Sequence, residues 1–304
     1  MKIVFMGTPS FALPTLEMLH QRFGVSLVVT QPDKVVGRKK IITKSPVKEF
    51  AIKHGIDVFQ PLKLSKDYER IIKLKPDLIV TAAYGQMIPT VVLDLATSIN
   101  VHGSILPKYR GGAPVQYAIK NGDKTTGVTI MYMAPKMDSG DIIDCEEVEI
   151  LETDTTDSLM RRLSIVGRDL LDRTILSIIN QTNNRIPQDE TQVTFAYTIK
   201  PEEEFLDFTK TTKEVMNHLR SLLDEPGGSI FVNNTRIKVY EIEKSDIISS
   251  RNPGEVVKVT KQFLVKTKDG VVRLKKIKPE GKKLMNDTDF LNGQKIICEG
   301  DIIK

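Results

Sequence analysis

Cysteine is scarce and tryptophan absent: the 304 residues hold only Cys145 and Cys298, and no tryptophan. Two distant thiols lack metal-ligand spacing, so a reduced compartment is the natural reading. The four histidines, His20, His54, His102 and His218, are too scattered for a zinc site. No apolar stretch approaches the ~20 residues needed to span a bilayer. The opening Ile3-Val4-Phe5-Met6 breaks at Gly7 and Pro9, too short for a signal peptide, and no small-residue cleavage site follows. A cytoplasmic protein without a membrane role is expected. Glycine is also missing where a nucleotide would need it. Gly7-Thr8-Pro9-Ser10-Phe11-Ala12 has one glycine where the dinucleotide fingerprint needs three, and Pro9 supplies neither space nor an N–H donor. A P-loop and the Gly-x-Ser-x-Gly nucleophile elbow are absent too. Ser104 lies two residues from His102 in a bending loop, a spacing that seldom joins a nucleophile to its base.

What is present reads as an ordinary globular chain, 40% hydrophobic and 27% charged. At roughly 150 residues per domain it has room for two. Lys2–Met6, Val25–Thr30, Asp77–Ala82, Ser98–His102 and Thr126–Met133 read as strands alternating with helices, which implies a parallel sheet covered on both faces. Ser45-Pro46 opens a helix with a cap and a first-turn proline. Asp154–Asn180 is the longest helical pattern, its leucine stripe explained by core packing. Gln181–Lys200 is polar and reads as a surface linker. After Phe205 a helix over Lys213–Leu223 precedes five short β-like runs, the pattern of a small oligonucleotide-binding barrel.

Charge is distributed unevenly. Net charge is +5, and the stretch from Val256 to Lys283 holds 10 basic residues against 2 acidic ones. Lys34 to Lys48 adds six Lys/Arg and no acid. Two positive patches on a nearly neutral body suggest a polyanionic partner.

The segment Asn100-Val101-His102-Gly103-Ser104-Ile105-Leu106-Pro107 carries the strongest chemical signal. In a strand, Asn100 and His102 share a face and project at the carboxyl end, where open α/β sheets place ligands. An amide beside an imidazole suits stabilisation of an oxyanion at a carbonyl under attack. Met137-Asp138-Ser139-Gly140-Asp141 offers an aspartate that could orient or relay a proton to a histidine, although the same residues also suit a plain turn.

Seven ordered blocks resemble the methionyl-tRNA formyltransferases among the folate-dependent formyltransferases. They are Phe5–Ala12, Thr30–Asp33 with Gly37–Lys40 and Ser45–Lys48, Val58–Pro61, Ala83–Pro89, Ile99–Pro114, Thr126–Met131 and Met137–Asp141. The resemblance implies a Rossmann-like α/β formyltransferase domain over 1–181, a linker over 182–204 and an OB-like β-barrel that binds tRNA over 205–304. It implies Asn100, His102 and Asp138 as the catalytic trio. Ser104, Ile105, Leu106 and Pro107 correspond to the family's Ser-Leu-Leu-Pro signature at the folate site, with isoleucine a departure at 105. Tyr84, Gly85, Met87, Ile88 and Asp141 lie in the segments that would flank the pterin. Arg38, Lys39 and Lys40 sit in the insertion that would engage the acceptor end of tRNA.

The implied reaction transfers the formyl group of 10-formyltetrahydrofolate to the free amine of initiator methionyl-tRNA, without a metal, in a monomer. A second departure is Asp224-Glu225-Pro226-Gly227-Gly228, where many members carry tryptophan and proline. The rival readings are formyl transfer to a small amine (a nucleotide or an amino sugar) and hydrolysis of formyltetrahydrofolate.

Overall fold

The computed structural model describes residues 1–36, 41–233, 235–293 and 297–303. The chain forms two compact units. The first comprises Met1–Pro114, Thr125–Glu149 and Leu159–Tyr197; the second comprises Val115–Lys124, Ile150–Ser158 and Thr198–Lys304.

In the first unit the strands are β1 (Ile3–Gly7), β2 (Leu27–Val29), β3 (Lys34–Val36), β4 (Ile41–Thr43), β5 (Val58–Phe59), β6 (Leu78–Ala82), β7 (Thr97–His102), β8 (Thr125–Tyr132) and β9 (Ile142–Glu149). Seven of them form one sheet in the order β5-β2-β1-β6-β7-β8-β9. From β5 to β7 the pairs are parallel, but β8 runs antiparallel to both β7 and β9. The sheet is therefore mixed, not purely parallel. Strand direction leaves no mark on hydrophobic periodicity, and the short turn from Tyr132 to Ile142 makes β8 and β9 a hairpin. β1 and β6 are buried along their whole length, which is why they read as unbroken apolar runs. The chain leaves β1 for β2 on one side and later returns to β6 on the other. That switch point lies between the carboxyl ends of β1 and β6, where open α/β sheets place their ligands.

Helices α1 (Leu13–Phe23), α2 (Pro46–Lys53), α3 (Glu69–Leu74), α4 (Thr90–Leu93) and α5 (Pro114–Asn121) precede the 24-residue α6 (Thr156–Ile179). Ser45 caps α2 as expected, its Oγ accepting the Lys48 N–H at 3.1 Å. Along α6 the stripe Leu159, Leu163, Leu170, Leu171, Ile175 and Ile178 is buried. Removing each such side chain from water contributes roughly 1.5–3 kcal/mol. Gly167 marks the closest approach of α6 to the sheet: a Cβ there would fall 2.7 Å from Val101 Cγ1.

The second unit holds α7 (Thr212–Ser221), strands β10 (Gly228–Val232), β11 (Thr235–Ser245), β12 (Val256–Lys258), β13 (Leu264–Lys266), β14 (Val271–Pro279) and β15 (Met285–Asn286), and α8 (Asp287–Gly293). The expected barrel-like sheet is antiparallel, in the order β10-β11-β14-β13-β12 with β15 added to β14. Register shifts between Val239 and Ile242 increase its local twist. Val215, Leu219, Ile230, Ile237, Val239, Phe263, Leu274 and Phe290 fill its core. The Thr211–Glu214 capping box starts α7. At the core edge, buried Asp287 accepts two bonds from Arg273 (2.8 and 3.0 Å) and one from the Phe263 N–H (3.0 Å).

Candidate active site

β7 carries Asn100 and His102 on one face near its carboxyl end, while the intervening Val101 turns to the opposite face against Gly167. Thr81, the register partner of Asn100 on β6, donates its hydroxyl to Asn100 Oδ1 at 2.7 Å. That bond fixes the amide with Nδ2 directed away. Its hydrogens have no acceptor among the described residues, so the group is oriented to donate to a substrate oxygen. His102 Nε2 lies 3.0 Å from the Tyr109 carbonyl. A carbonyl only accepts, so Nε2 carries the hydrogen and Nδ1 is left for chemistry. Nδ1 faces Asp138 Oδ2 across 3.7 Å. This exceeds the roughly 2.7–3.2 Å of a direct hydrogen bond. Acid–base pairs without substrate are often this loose and tighten in the complex.

Asp138 sits in the turn between β8 and β9 with φ at +48°, a left-handed conformation uncommon outside glycine. Its Oδ2 accepts the Gly111 N–H at 2.8 Å. Gly111 (φ +130°) is required there, because a Cβ would fall 2.5 Å from the Ala196 carbonyl oxygen. Gly140 of the same turn is equally confined, its Cβ position lying 1.9 Å from the Tyr132 oxygen. The structure thus brings Asn100, His102 and Asp138 together.

The loop between β7 and α5 is internally tied. Ser104 is buried, and its hydroxyl donates to the Lys108 carbonyl at 2.6 Å, so it serves the turn and is not a nucleophile. Thr129 links the Ser104 carbonyl (2.7 Å) to the Leu106 N–H (3.1 Å). Ile105 lies over Gly127, where a Cβ would meet its Cδ1 at 2.3 Å. Leu106 is buried and Pro107 half-exposed.

Around β6, Tyr84 is buried in an apolar cluster with Met6, Ile79, Ile88 and Val92. Burial pushes its phenol up to about 12, and its oxygen has no hydrogen-bond partner. Gly85 adopts φ +85°, and Met87 is 58% exposed beside the buried Ile88. Asp141, further round the Asp138 turn, pairs with Arg185 at 3.4 Å.

Arg38, Lys39 and Lys40 lie outside the described residues. The strands flanking them, β3 and β4, pair as an antiparallel hairpin with Val35 and Ile42 facing each other in register. Val35, Ile41 and Ile42 are 63%, 60% and 68% exposed. The root of the hairpin is a polar network. Lys48 pairs with Asp33 at 2.7 Å, and Gln60 Nε2 donates to Asp33 Oδ1 at 2.9 Å. These two bonds hold the Asp33 carboxyl below its usual range. Lys48, counted in the basic patch, is therefore neutralised by an acid one residue outside it. In the second patch Arg273, Lys275 and Lys276 are likewise paired, with Glu241, Glu243 and Asp287. Lys258, Lys261, Lys268, Lys278, Lys282 and Lys283 have no ion partner among the described residues.

Sequence reasoning missed the segment from 183 to 196, read as a surface linker. Within the first unit it crosses the loop after β7: Arg110 N donates to Thr194 O (2.9 Å), Ala196 N to Arg110 O (2.8 Å) and Ala113 N to Ala196 O (3.0 Å). Ile186 exchanges both backbone bonds with Ile142. Its polar, aperiodic sequence carries no signal of this, since these bonds run through the main chain.

Comparison with known proteins gives concordant matches. The formyl transferase family model matches residues 1–175, and the formyl transferase C-terminal domain model matches 198–295. The methionyl-tRNA formyltransferase of Latilactobacillus sakei is 48% identical over 298 residues, 96% of this chain and 94% of that protein. That of Bacillus mycoides is 47% identical over 302 residues, 97% and 96% of the two chains. Among solved structures, an N-formyltransferase from Helicobacter canadensis with folinic acid and dTDP-3-aminofucose has a TM-score of 0.70 at 22% identity, covering 90% of this chain and 98% of that one. HypX from Aquifex aeolicus with tetrahydrofolic acid has a TM-score of 0.63 at 16% identity, covering 95% and 46%. At such identities these two structures support the fold alone.

Proposed function

The chain belongs to the formyl transferase family, and from that premise we propose that it transfers the formyl group of 10-formyltetrahydrofolate to the amine of initiator methionyl-tRNA. The observation that carries the acceptor is the similarity to methionyl-tRNA formyltransferases across nearly the whole of both chains.

The geometry supports specific roles. The methionyl amine attacks the formyl carbon. Asn100 Nδ2, oriented by Thr81, donates to the oxyanion that develops, and protonated His102 supplies positive charge beside it. Asp138 takes the proton that the amine sheds, directly or through water. Collapse breaks the bond between the formyl carbon and the folate nitrogen, which leaves with a proton from His102 or that water. Nδ1 is the His102 nitrogen placed for this transfer, because Nε2 is held by Tyr109. Tyr84, Gly85, Met87, Ile88, Asp141 and the Ser104–Pro107 turn flank the pterin.

Arg38, Lys39 and Lys40 meet the acceptor end of tRNA. The apolar flanks of their hairpin, Val35, Ile41 and Ile42, present surface on which bases can rest. The unpaired lysines of the second unit contact the phosphate backbone, which makes affinity salt-sensitive. No helix among the described residues is long and apolar enough to cross a membrane. The enzyme acts in the cytoplasm as a monomer.

The test is incubation of the purified protein with 10-formyltetrahydrofolate and methionyl-tRNA. Formyl-methionyl-tRNA is the expected product, lost by roughly a hundredfold or more in His102→Ala. Folate turnover with the tRNA unformylated would overturn the acceptor and favour hydrolysis. Formylation of an amino-sugar nucleotide in place of tRNA would assign a small amine.

A further inference from the structure

Gln188 joins the two loops that hold the partners of His102. Its Nε2 donates to the Asp138 carbonyl and to the Gly140 carbonyl, both at 2.8 Å. Its Oε1 accepts from Arg110 Nε at 3.0 Å and from Nη2 at 2.8 Å. A primary amide has two hydrogens to donate and two lone pairs, so this one is saturated. The amide also cannot flip: the alternative sets its NH2 against a guanidinium and its oxygen against two carbonyls. Arg110 is only 3% exposed and pairs with Glu190 at 2.8 Å. It directly follows Tyr109, whose carbonyl takes the His102 Nε2 hydrogen.

We infer that Gln188 is a positioning residue for formyl transfer, holding the Asp138 turn so that the carboxylate faces His102 Nδ1. The inference rests on the roles proposed above for Asp138 and His102. Asp138 occupies a left-handed backbone conformation that persists only where its surroundings hold it. Gly111 anchors the carboxylate and Gln188 anchors the carbonyl, so side chain and main chain are fixed from separate sides. Gly140 leaves the turn no room to relax toward β8. With the Gln188 bonds gone, the turn is free to shift, and the 3.7 Å separation from His102 widens or tilts. The main-chain bonds of Thr194 and Ala196 to Arg110 do not involve this side chain, so the loop after β7 keeps its place. What is lost is the tie between the Asp138 turn and the Arg110 guanidinium.

Two substitutions separate the contributions. Gln188→Met keeps the length and removes all four bonds. Gln188→Glu keeps an acceptor for Arg110 but sets an oxygen against the two carbonyls. Each is made alone and combined with Asp138→Asn, and single-turnover formylation of methionyl-tRNA is measured together with KM for both substrates and Tm. Both single variants are expected to lose about 10- to 100-fold in kcat, the scale of a misplacement near 1 Å. On the Asp138→Asn background the same changes are expected to cost no more than about twofold, because the residues act as a unit. Wild-type kcat in either variant overturns the inference. So does a full loss repeated on the Asp138→Asn background, which marks a merely structural role, or a loss confined to KM. If Asp138→Asn itself turns over like the wild type, the role given to Asp138 falls, an outcome distinct from failure of the Gln188 bonds alone.

Discussion

Gly111→Ala would strain the contact on which the candidate site leans most. At φ +130° the residue lies in backbone territory essentially reserved for glycine, costing an L-residue about 1–3 kcal/mol. The new Cβ would also stand 2.5 Å from the Ala196 oxygen and 2.9 Å from its carbonyl carbon, and both are backbone atoms. To clear them, the segment at 196 has to lift, weakening Ala196 N to Arg110 O and Ala113 N to Ala196 O. Two such bonds contribute about 1–3 kcal/mol together. The combined cost is about 2–6 kcal/mol, a large part of the roughly 5–15 kcal/mol available to a folded domain. Urea denaturation with a fixed m value would read it. Turnover should fall with it, since the Gly111 N–H that anchors Asp138 moves too. Gly281→Ala is the control: φ is +75° with nothing within 4 Å, so only the backbone cost of about 1–2 kcal/mol applies. Equal stability losses in the two variants, or unchanged turnover in Gly111→Ala, would refute the reasoning.

Other outcomes follow from single contacts. Asn100→Asp keeps the oxygen that Thr81 holds but replaces the Nδ2 donor. Its kcat should fall about 10²–10³-fold in steady-state formylation while Tm stays near the wild type. Tyr84 has a folded value near 12 against about 10 when unfolded, so its contribution is complete below pH 10 and is lost as pH rises through 12. Tyr84→Phe should match or exceed wild-type stability at pH 7, because the hydroxyl has no partner, and should flatten the loss between pH 10 and 12 in urea titrations. Asp33 works in the opposite direction: its value is lowered, so the Lys48 pair stabilises above about pH 4 and weakens as pH falls below that. Lys48→Ala should leave the salt dependence of tRNA binding unchanged, whereas Lys278→Ala should reduce the slope by about 0.7–0.9.

The legible parts of this protein are those written in periodicity. Asn100 and His102 could be placed on one strand face because a two-residue repeat decides it, and α6 announced itself through leucine spacing. Asp138 was different: its residues offered a proton relay but suited a plain turn equally well, and the resemblance to a family was needed to decide between the two. Thr81 was invisible because the register of β6 against β7 is not encoded in either strand alone. Gln188 and Arg110 were hidden for a similar reason, 78 residues apart with no shared pattern. Charge counting misled at Lys48 and at Arg273, Lys275 and Lys276, since a count of cations does not reveal which ones a carboxylate has already matched.

The path of the chain limits how this protein can be taken apart. In sequence the family matches stop at 175 and resume at 198, as if a cut between them would free two modules. In space, Val115–Lys124 and Ile150–Ser158 belong to the second unit although the first unit's sequence surrounds them. Thr156 donates its hydroxyl to the Ser221 carbonyl at 2.7 Å, and Arg220 donates to the Asp154 carbonyl at 2.9 Å. A gene fragment beginning at 198 would lack both inserted segments and leave those bonds unmade. One ending at 181 would discard Gln188, Thr194 and Ala196 from the first unit. Exchange of the second unit between relatives would have to swap three stretches of sequence together.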